Sequence, residues 1–176
     1  MILPILILGD KRLREKSVEL KPQEINTELR TLIDNMFETM YAAPGIGLAA
    51  VQIGVLKRLM VLDLGERDED ERITGTRNPL ILINPVITNS EGSIVWEEGC
   101  LSCPDLVVPM QRKQYVSVNY LDLDAKPQVL EASDLLAVAL QHEIDHMDGK
   151  LIVDGLSGVK RDLYTKQLKK NGPVVR

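Results

Sequence analysis

Only two histidines occur in the chain, and they stand four positions apart in the run Gln141-His142-Glu143-Ile144-Asp145-His146. On an α-helix such positions lie one above the other, so both imidazoles can reach one ion while Glu143 stands beside it as a proton carrier. The segment is thereby expected to be helical, and the rest of the chain must fold so as to supply what else the ion needs. A helix that carries two histidines and no metal is the plain alternative at this point.

Leu135 to Leu140, directly upstream, is apolar all round, as expected of a helix enclosed by sheet; Ser133 or Asp134 can cap its start and Gly149 offers a stop. From Glu24 through Tyr41, Ile25, Leu29, Leu32, Ile33, Met36 and Met40 recur at three and four, which predicts an amphipathic helix opened by Pro22 and ended by Pro44-Gly45. Asp10 to Glu15 reads as a short helix and Gly158 to Lys170 as a last one, with Lys160, Arg161, Lys166, Lys169 and Lys170 set against Asp162. Strand-like runs fall at Lys57–Leu64, Leu80–Thr88, Ser93–Glu97, Tyr115–Leu121 and Gln128–Glu131, spaced closely enough to favour antiparallel pairing. The charged run Gly65–Arg72 reads as a solvated loop. The expected class is α+β: mostly antiparallel sheets wrapped around a central buried helix that carries the histidines, with an N-terminal and a C-terminal helix.

With 176 residues, no repeat and no linker, the chain reads as a single domain over 1–176, long enough to bury a core without disulfides. Aromatic residues make up only 3%, so that core must be aliphatic. A net charge of -5 argues against an extended nucleic-acid surface and gives no reason to expect sequence-specific binding. The apolar start, Met1–Leu8, is too short to span a bilayer and lacks preceding basic residues; it reads as a folded-in strand, and no membrane role is expected. Cys100 and Cys103 are too few for a disulfide framework, and a thiol used as a ligand needs reducing surroundings, which points to the cytoplasm or an organelle derived from one.

Catalytic metal sites usually combine three protein ligands with an open position, so two histidines require a third partner. Helices of this kind in metalloproteases take it downstream, as a Glu or a further His. Here Glu143 is the last glutamate and no third His exists. Asp154 or Asp162 could serve downstream. The better candidate is Cys100, in Trp96-Glu97-Glu98-Gly99-Cys100-Leu101-Ser102, where Gly99 lets backbone come close to a ligand. Cys103 reads as a small buried hydrophobe.

Three segments together, Gly45-Ile46-Gly47-Leu48-Ala49-Ala50-Val51-Gln52, Glu98-Gly99-Cys100-Leu101-Ser102 and Gln141–His146, resemble those of the peptide deformylase family, and the likeness extends to the leading Gly9–Arg14. It implies that Cys100, His142 and His146 hold one divalent metal ion, with ferrous iron usual and zinc, nickel or cobalt able to replace it. It implies a hydrolase that removes the N-formyl group from the formylmethionine of new polypeptides and releases formate. A bound ion makes water acidic enough to be deprotonated near neutral pH, and Glu143 would carry that proton. The Gln52 side-chain amide and the Leu101 backbone N–H match the family's oxyanion donors; without the resemblance, Gln52 reads as a surface residue.

The resemblance further suggests a methionine pocket of Ile46, Trp96, Leu135, Val138 and Ala139, with Gly47 and Gly99 bringing backbone close to an extended peptide added at a sheet edge. Core packing is the bland reading of each apolar position. Asp145 either orients a ligand or makes a structural hydrogen bond. Two positions depart from the family pattern: Val107 stands where an Arg is frequent, and Trp96 where a smaller aliphatic residue is common. The basic last helix resembles a tail that some members dock on the ribosome; a solvated helix end is the alternative. The rival readings are a small metallopeptidase using Asp154 or Asp162, and a ribosome-associated binding protein with a structural metal.

Overall fold

The computed structural model describes residues 1–66 and 75–171. Among them, in chain order, lie helix α1 (Thr27–Ala42), strands β1 (Gly47–Ala49), β2 (Leu59–Leu62), β3 (Leu80–Glu91), β4 (Ile94–Cys100), β5 (Cys103–Arg112), β6 (Tyr115–Leu121) and β7 (Pro127–Ser133), then α2 (Asp134–Met147) and α3 (Gly158–Asn171). Five strands form one antiparallel sheet in the order β1-β2-β3-β6-β7, and β4 pairs with β5 as a separate hairpin. The fold is α+β with antiparallel sheets.

Strand period explains how the sheet separates two helices. Successive side chains of a strand point to opposite faces. Leu59 and Val61 of β2 therefore join Leu48 and Ile83 against the α1 stripe of Leu29, Ile33, Met36 and Met40. Met60 and Leu62 face the other way, onto Ala137, Leu140, Ile144 and Met147 of α2. Each fully buried Leu or Met of this kind contributes about 1.5–3 kcal/mol. A third cluster, Leu13, Cys103, Val108, Leu151, Ile152 and Val153, fastens the β4–β5 hairpin to the segment after α2.

Several sequence expectations shift. The expected helix from Pro22 divides, because a single turn at Pro22–Glu24 ends at Ile25 and Asn26 then caps α1 by accepting the Leu29 N–H at 3.0 Å. Met1–Leu8 forms no strand; it runs across the surface as an irregular strap, with Leu6 N–H donating to Gln52 O (2.7 Å) and Leu8 N–H to Ser102 O (2.8 Å). β5 was not expected at all, since Pro104 and Pro109 disguise it, yet its sole partner among the described strands is β4, so an edge position tolerates the missing donors. Neither Ser133 nor Asp134 caps α2 with its side chain; Asp134 Oδ1 accepts from Gln114 Nε2 at 3.2 Å. From 67 to 74, the charged run lies outside the described residues.

Two features place the end of α2. Gly149 has φ +73°, and a Cβ there would meet Arg14 O at 2.5 Å, so only glycine allows this exit from the helix. Arg58 then donates to Asp148 Oδ1 at 2.7 Å, tying the start of β2 to the C-terminal end of α2. No helix among the described residues is long and apolar enough to cross a membrane.

Candidate metal centre

α2 carries His142, Glu143 and His146 into contact with the end of the β4–β5 hairpin. There, Cys100 is the last residue of β4, followed by the two-residue turn Leu101–Ser102. Cys100 Sγ lies 3.2 Å from His146 Nε2, which in turn lies 3.2 Å from His142 Nε2. All three donor atoms fall within 4.8 Å of one another. Ligand bonds of about 2.0–2.3 Å at tetrahedral angles put donors about 3.3–3.6 Å apart, and the two 3.2 Å separations lie close to that range. Asp154, the downstream alternative, is instead paired with Arg14 at 2.7 Å and 3.0 Å.

The ring orientation of His142 is set from behind. Glu98 Oε2 lies 2.8 Å from His142 Nδ1, and the same carboxylate accepts from Arg112 Nε (2.6 Å) and Nη2 (2.9 Å). Burial pushes the Glu98 carboxyl up, but the hydrogen bonds from Arg112 and His142 outweigh it and hold the group below its ordinary range. An ionised Glu98 keeps the proton on Nδ1, which leaves the Nε2 lone pair facing Cys100 and His146. Arg112 reaches on through Nη1 to Asp145 Oδ2, so Asp145 joins the chain of contacts that leads through Arg112 and Glu98 to His142.

Glu143 is 4% exposed, and burial pushes its carboxyl above the usual glutamate range against the pull of both imidazoles. Its Oε2 has no hydrogen-bond partner among the described residues, so one carboxylate oxygen is uncommitted. Gly47 makes room for the other: a Cβ there would meet Glu143 Oε1 at 2.5 Å and Leu62 Cδ2 at 2.7 Å. Crowding by protein thus demands glycine at 47. At Gly99 the nearest such atom would be Leu106 O at 3.9 Å, so this glycine is an exposed, open position at a register shift of the hairpin.

Gln52 is no surface residue. It is 1% exposed, accepts the Ala49 N–H at its Oε1 (2.9 Å), and donates from Nε2 to Ser102 Oγ (3.1 Å) with Cys100 Sγ at 3.9 Å. Because a backbone N–H can only donate, the amide cannot flip, and its NH2 group stays on the Cys100 side. The Cys103 thiol, within hydrogen-bonding reach across the hairpin, is the strongest influence holding the Cys100 thiol well below its ordinary value; burial opposes it, and His146 and His142 add to it.

Of the apolar candidates, Val138 and Ala139 are buried in α2, Ile46 and Leu135 are half-buried, and Trp96 is 36% exposed on the hairpin. Ile46 and Ala139 belong to the packing between α2 and the sheet. Val107 is exposed. The Glu98–Arg112 pair behind His142 is absent from the sequence reading; a glutamate two places before Cys100 is the available signal.

Comparisons with known proteins identify the family. The family profile described as polypeptide deformylase matches residues 2–162. The chain belongs to the polypeptide deformylase family. It is 49% identical over 168 residues to a peptide deformylase of Thermodesulfovibrio yellowstonii, covering 96% of this chain and 97% of the relative. Against a peptide deformylase of Rhizobium meliloti it is 47% identical over 176 residues, covering 97% of each. Among solved structures, a peptide deformylase from Legionella pneumophila superposes with a TM-score of 0.85 at 42% identity, covering 97% of this chain and 95% of that one. The Ehrlichia chaffeensis peptide deformylase in complex with actinonin does so with a TM-score of 0.88 at 38% identity, covering 98% and 99%. This deformylase is a metal-dependent hydrolase whose reaction removes the N-formyl group from the N-terminal formylmethionine of polypeptides and releases formate.

Proposed function

We propose that Cys100, His142 and His146 are the three protein ligands of a catalytic divalent ion, that Glu143 moves the proton, and that Gln52 and Leu101 stabilise the developing oxyanion. The observation that carries this reading is the convergence of one thiol and two imidazole nitrogens beside a buried carboxylate. One sulfur and two nitrogens suit ferrous iron, zinc, nickel or cobalt, and ferrous iron is the proposed native ion. When bound, the ion supplies Lewis acidity toward water and the formyl carbonyl.

The chain's own residues do the rest. Glu143, its pKa raised by burial, accepts a proton from the attacking water and returns it to the leaving amine. The Gln52 amide, held by Ala49 and Ser102, needs no reorganisation to donate to the formyl oxygen as it gains charge, and the Leu101 N–H acts beside it; one such donor is worth roughly 10²–10³ in rate. An extended formyl-Met peptide lies against Gly47 on edge strand β1 and against Gly99 on β4, with the methionine side chain toward Ile46, Trp96, Leu135, Val138 and Ala139.

The physiological substrates are N-formylmethionyl nascent peptides met in the cytoplasm, or in an organelle of bacterial origin, and the whole of 1–176 acts as one catalytic domain. The basic α3, with Lys160, Lys166, Lys169 and Lys170 exposed or polar along it, is the proposed site of transient ribosome contact. No membrane and no sequence-specific nucleic acid enters this reading. Protein reconstituted with Fe(II) without oxygen, or with Ni(II), releases formate from formyl-Met-Ala-Ser. A metal-loaded protein that releases none would reject the assignment.

A further inference from the structure

Cys103 takes no part in the deformylase reaction, but its position relative to Cys100 is chemically specific. The two cysteines are direct partners in the β4–β5 register, on either side of the Leu101–Ser102 turn. Directly opposed residues of an antiparallel pair have Cα atoms about 4.5–5.5 Å apart and project to the same side. A disulfide spans Cα separations of about 4.4–6.8 Å, so the backbone already meets its requirement. Exposure divides the pair: Cys100 is partly open at the metal centre, whereas Cys103 is 1% exposed in the cluster with Leu13, Val108 and Val153. A small oxidant therefore meets Cys100 first and Cys103 stands behind it, where no solvent path is needed.

We propose that the pair is a reversible redox modification site, in which peroxide oxidises Cys100 and Cys103 acts as the resolving thiol that closes a Cys100–Cys103 disulfide. The inference rests on the assignment of Cys100 as a metal ligand. Cys100 Sγ, as thiolate, attacks one oxygen of hydrogen peroxide; the O–O bond breaks, hydroxide leaves, and the sulfur, two electrons poorer, is a sulfenic acid. Cys103 then attacks that sulfur, the S–O bond breaks, and the S–S bond forms. Its thiol proton goes to the departing hydroxyl, which leaves as water. The sum is two thiols and one peroxide giving one disulfide and two waters. A dithiol reverses the step by exchange.

The consequence follows from valence: a sulfur in a disulfide is not a thiolate ligand, so oxidation dismantles the metal centre. It also halts Cys100 before the sulfinic and sulfonic stages, which are not reversed by thiols. The hairpin thus trades temporary loss of the ion for recovery of the cysteine.

Both cysteines fall in a single tryptic peptide, Asn78–Arg112, which makes the test direct. Zinc-loaded protein is treated with graded hydrogen peroxide, alkylated and mapped by mass spectrometry, with zinc content followed alongside. The expected result is a peptide lighter by two hydrogens and closed to alkylation, appearing in step with zinc release, with both changes undone by dithiothreitol and fresh zinc. In Cys103→Val the same dose should carry Cys100 to acids that dithiothreitol does not restore. A wild-type peptide with added oxygens on Cys100 and an alkylated Cys103 overturns the proposal, as does linkage only between separate chains. The wild-type map decides even if the variant does not fold. Zinc content and formate release of untreated protein read the ligand and deformylase assignments separately.

Discussion

Glu98 Oε2 lies 2.8 Å from His142 Nδ1, and this contact determines which nitrogen of the ring faces Cys100. The carboxylate is itself held by Arg112, so the orientation of the His142 ring depends on an ion pair behind it. Breaking the pair should cost twice. Glu98→Ala leaves the Arg112 guanidinium, 9% exposed, without its main partner, a loss of about 3–5 kcal/mol by precedent for buried pairs. It should also weaken metal binding by roughly 10–100-fold, which competition against a chelator would measure. Unchanged metal affinity in a folded Glu98→Ala protein would show that the His142 ring is held by other means.

Acid should expose the same dependence. The Glu98 carboxyl is held below the ordinary glutamate value of 4.5, so its contribution to stability is fully present above that value and is lost as pH falls through the lower folded one. Wild-type protein is thus expected to lose stability steeply below about pH 4.5, and Glu98→Gln to show a flatter profile over the same window. Denaturant midpoints measured at several pH values would compare the two slopes; parallel curves would remove Glu98 from the account.

Glu143→Gln keeps the size of the side chain and removes its basicity. Turnover should fall by roughly 10²–10⁴-fold while metal content stays at the wild-type level. Burial raises the wild-type carboxyl, so the acid limb of kcat/KM should lie above the 4.5 of an ordinary glutamate. A limb that persists unchanged in Glu143→Asp and Glu143→Gln would assign it to another group.

Gly47 and Gly99 make opposite predictions despite the same residue type. Gly47→Ala forces a methyl to within 2.5 Å of Glu143 Oε1, so it should cost about 1–3 kcal/mol and depress kcat with the ion retained. Gly99→Ala meets nothing closer than 3.9 Å and should leave stability near wild type, with its effect confined to KM if the peptide lies there. Thermal melts together with steady-state kinetics would separate the two positions.

Ser102→Ala removes the acceptor for the Gln52 amide while leaving Ala49 to hold the oxygen. The donor then keeps its location but gains freedom, so kcat should fall by less than the roughly 10²–10³ expected for Gln52→Ala. Equal losses in the two variants would mean that Ser102 does more than position the amide.

Periodicity revealed α1 and α2 because each buries a stripe or a whole face, and the histidine spacing revealed the centre because one helix carries both rings. Inventory removes a later Glu or His, leaving Asp154, Asp162 and the better candidate Cys100, and the family resemblance names Cys100. What stayed hidden depended on β5. Its prolines mask the strand, and without the strand nothing brings Arg112 to Glu98, so the ion pair behind His142 was beyond the reach of local pattern. Gln52 was hidden for a related reason, since its burial comes from Ala49 and Ser102, one nearby and one far along the chain.

The strap formed by the opening residues has a bearing on how the enzyme comes to be made. The carbonyls that receive the Leu6 and Leu8 amides belong to Gln52 and Ser102, which are synthesised well after them. The strap must therefore wait undocked until Ser102 has been made and folded into its turn. When it settles, it joins the glutamine loop to the cysteine turn, so two segments of the centre are tied together by a stretch of chain made before either.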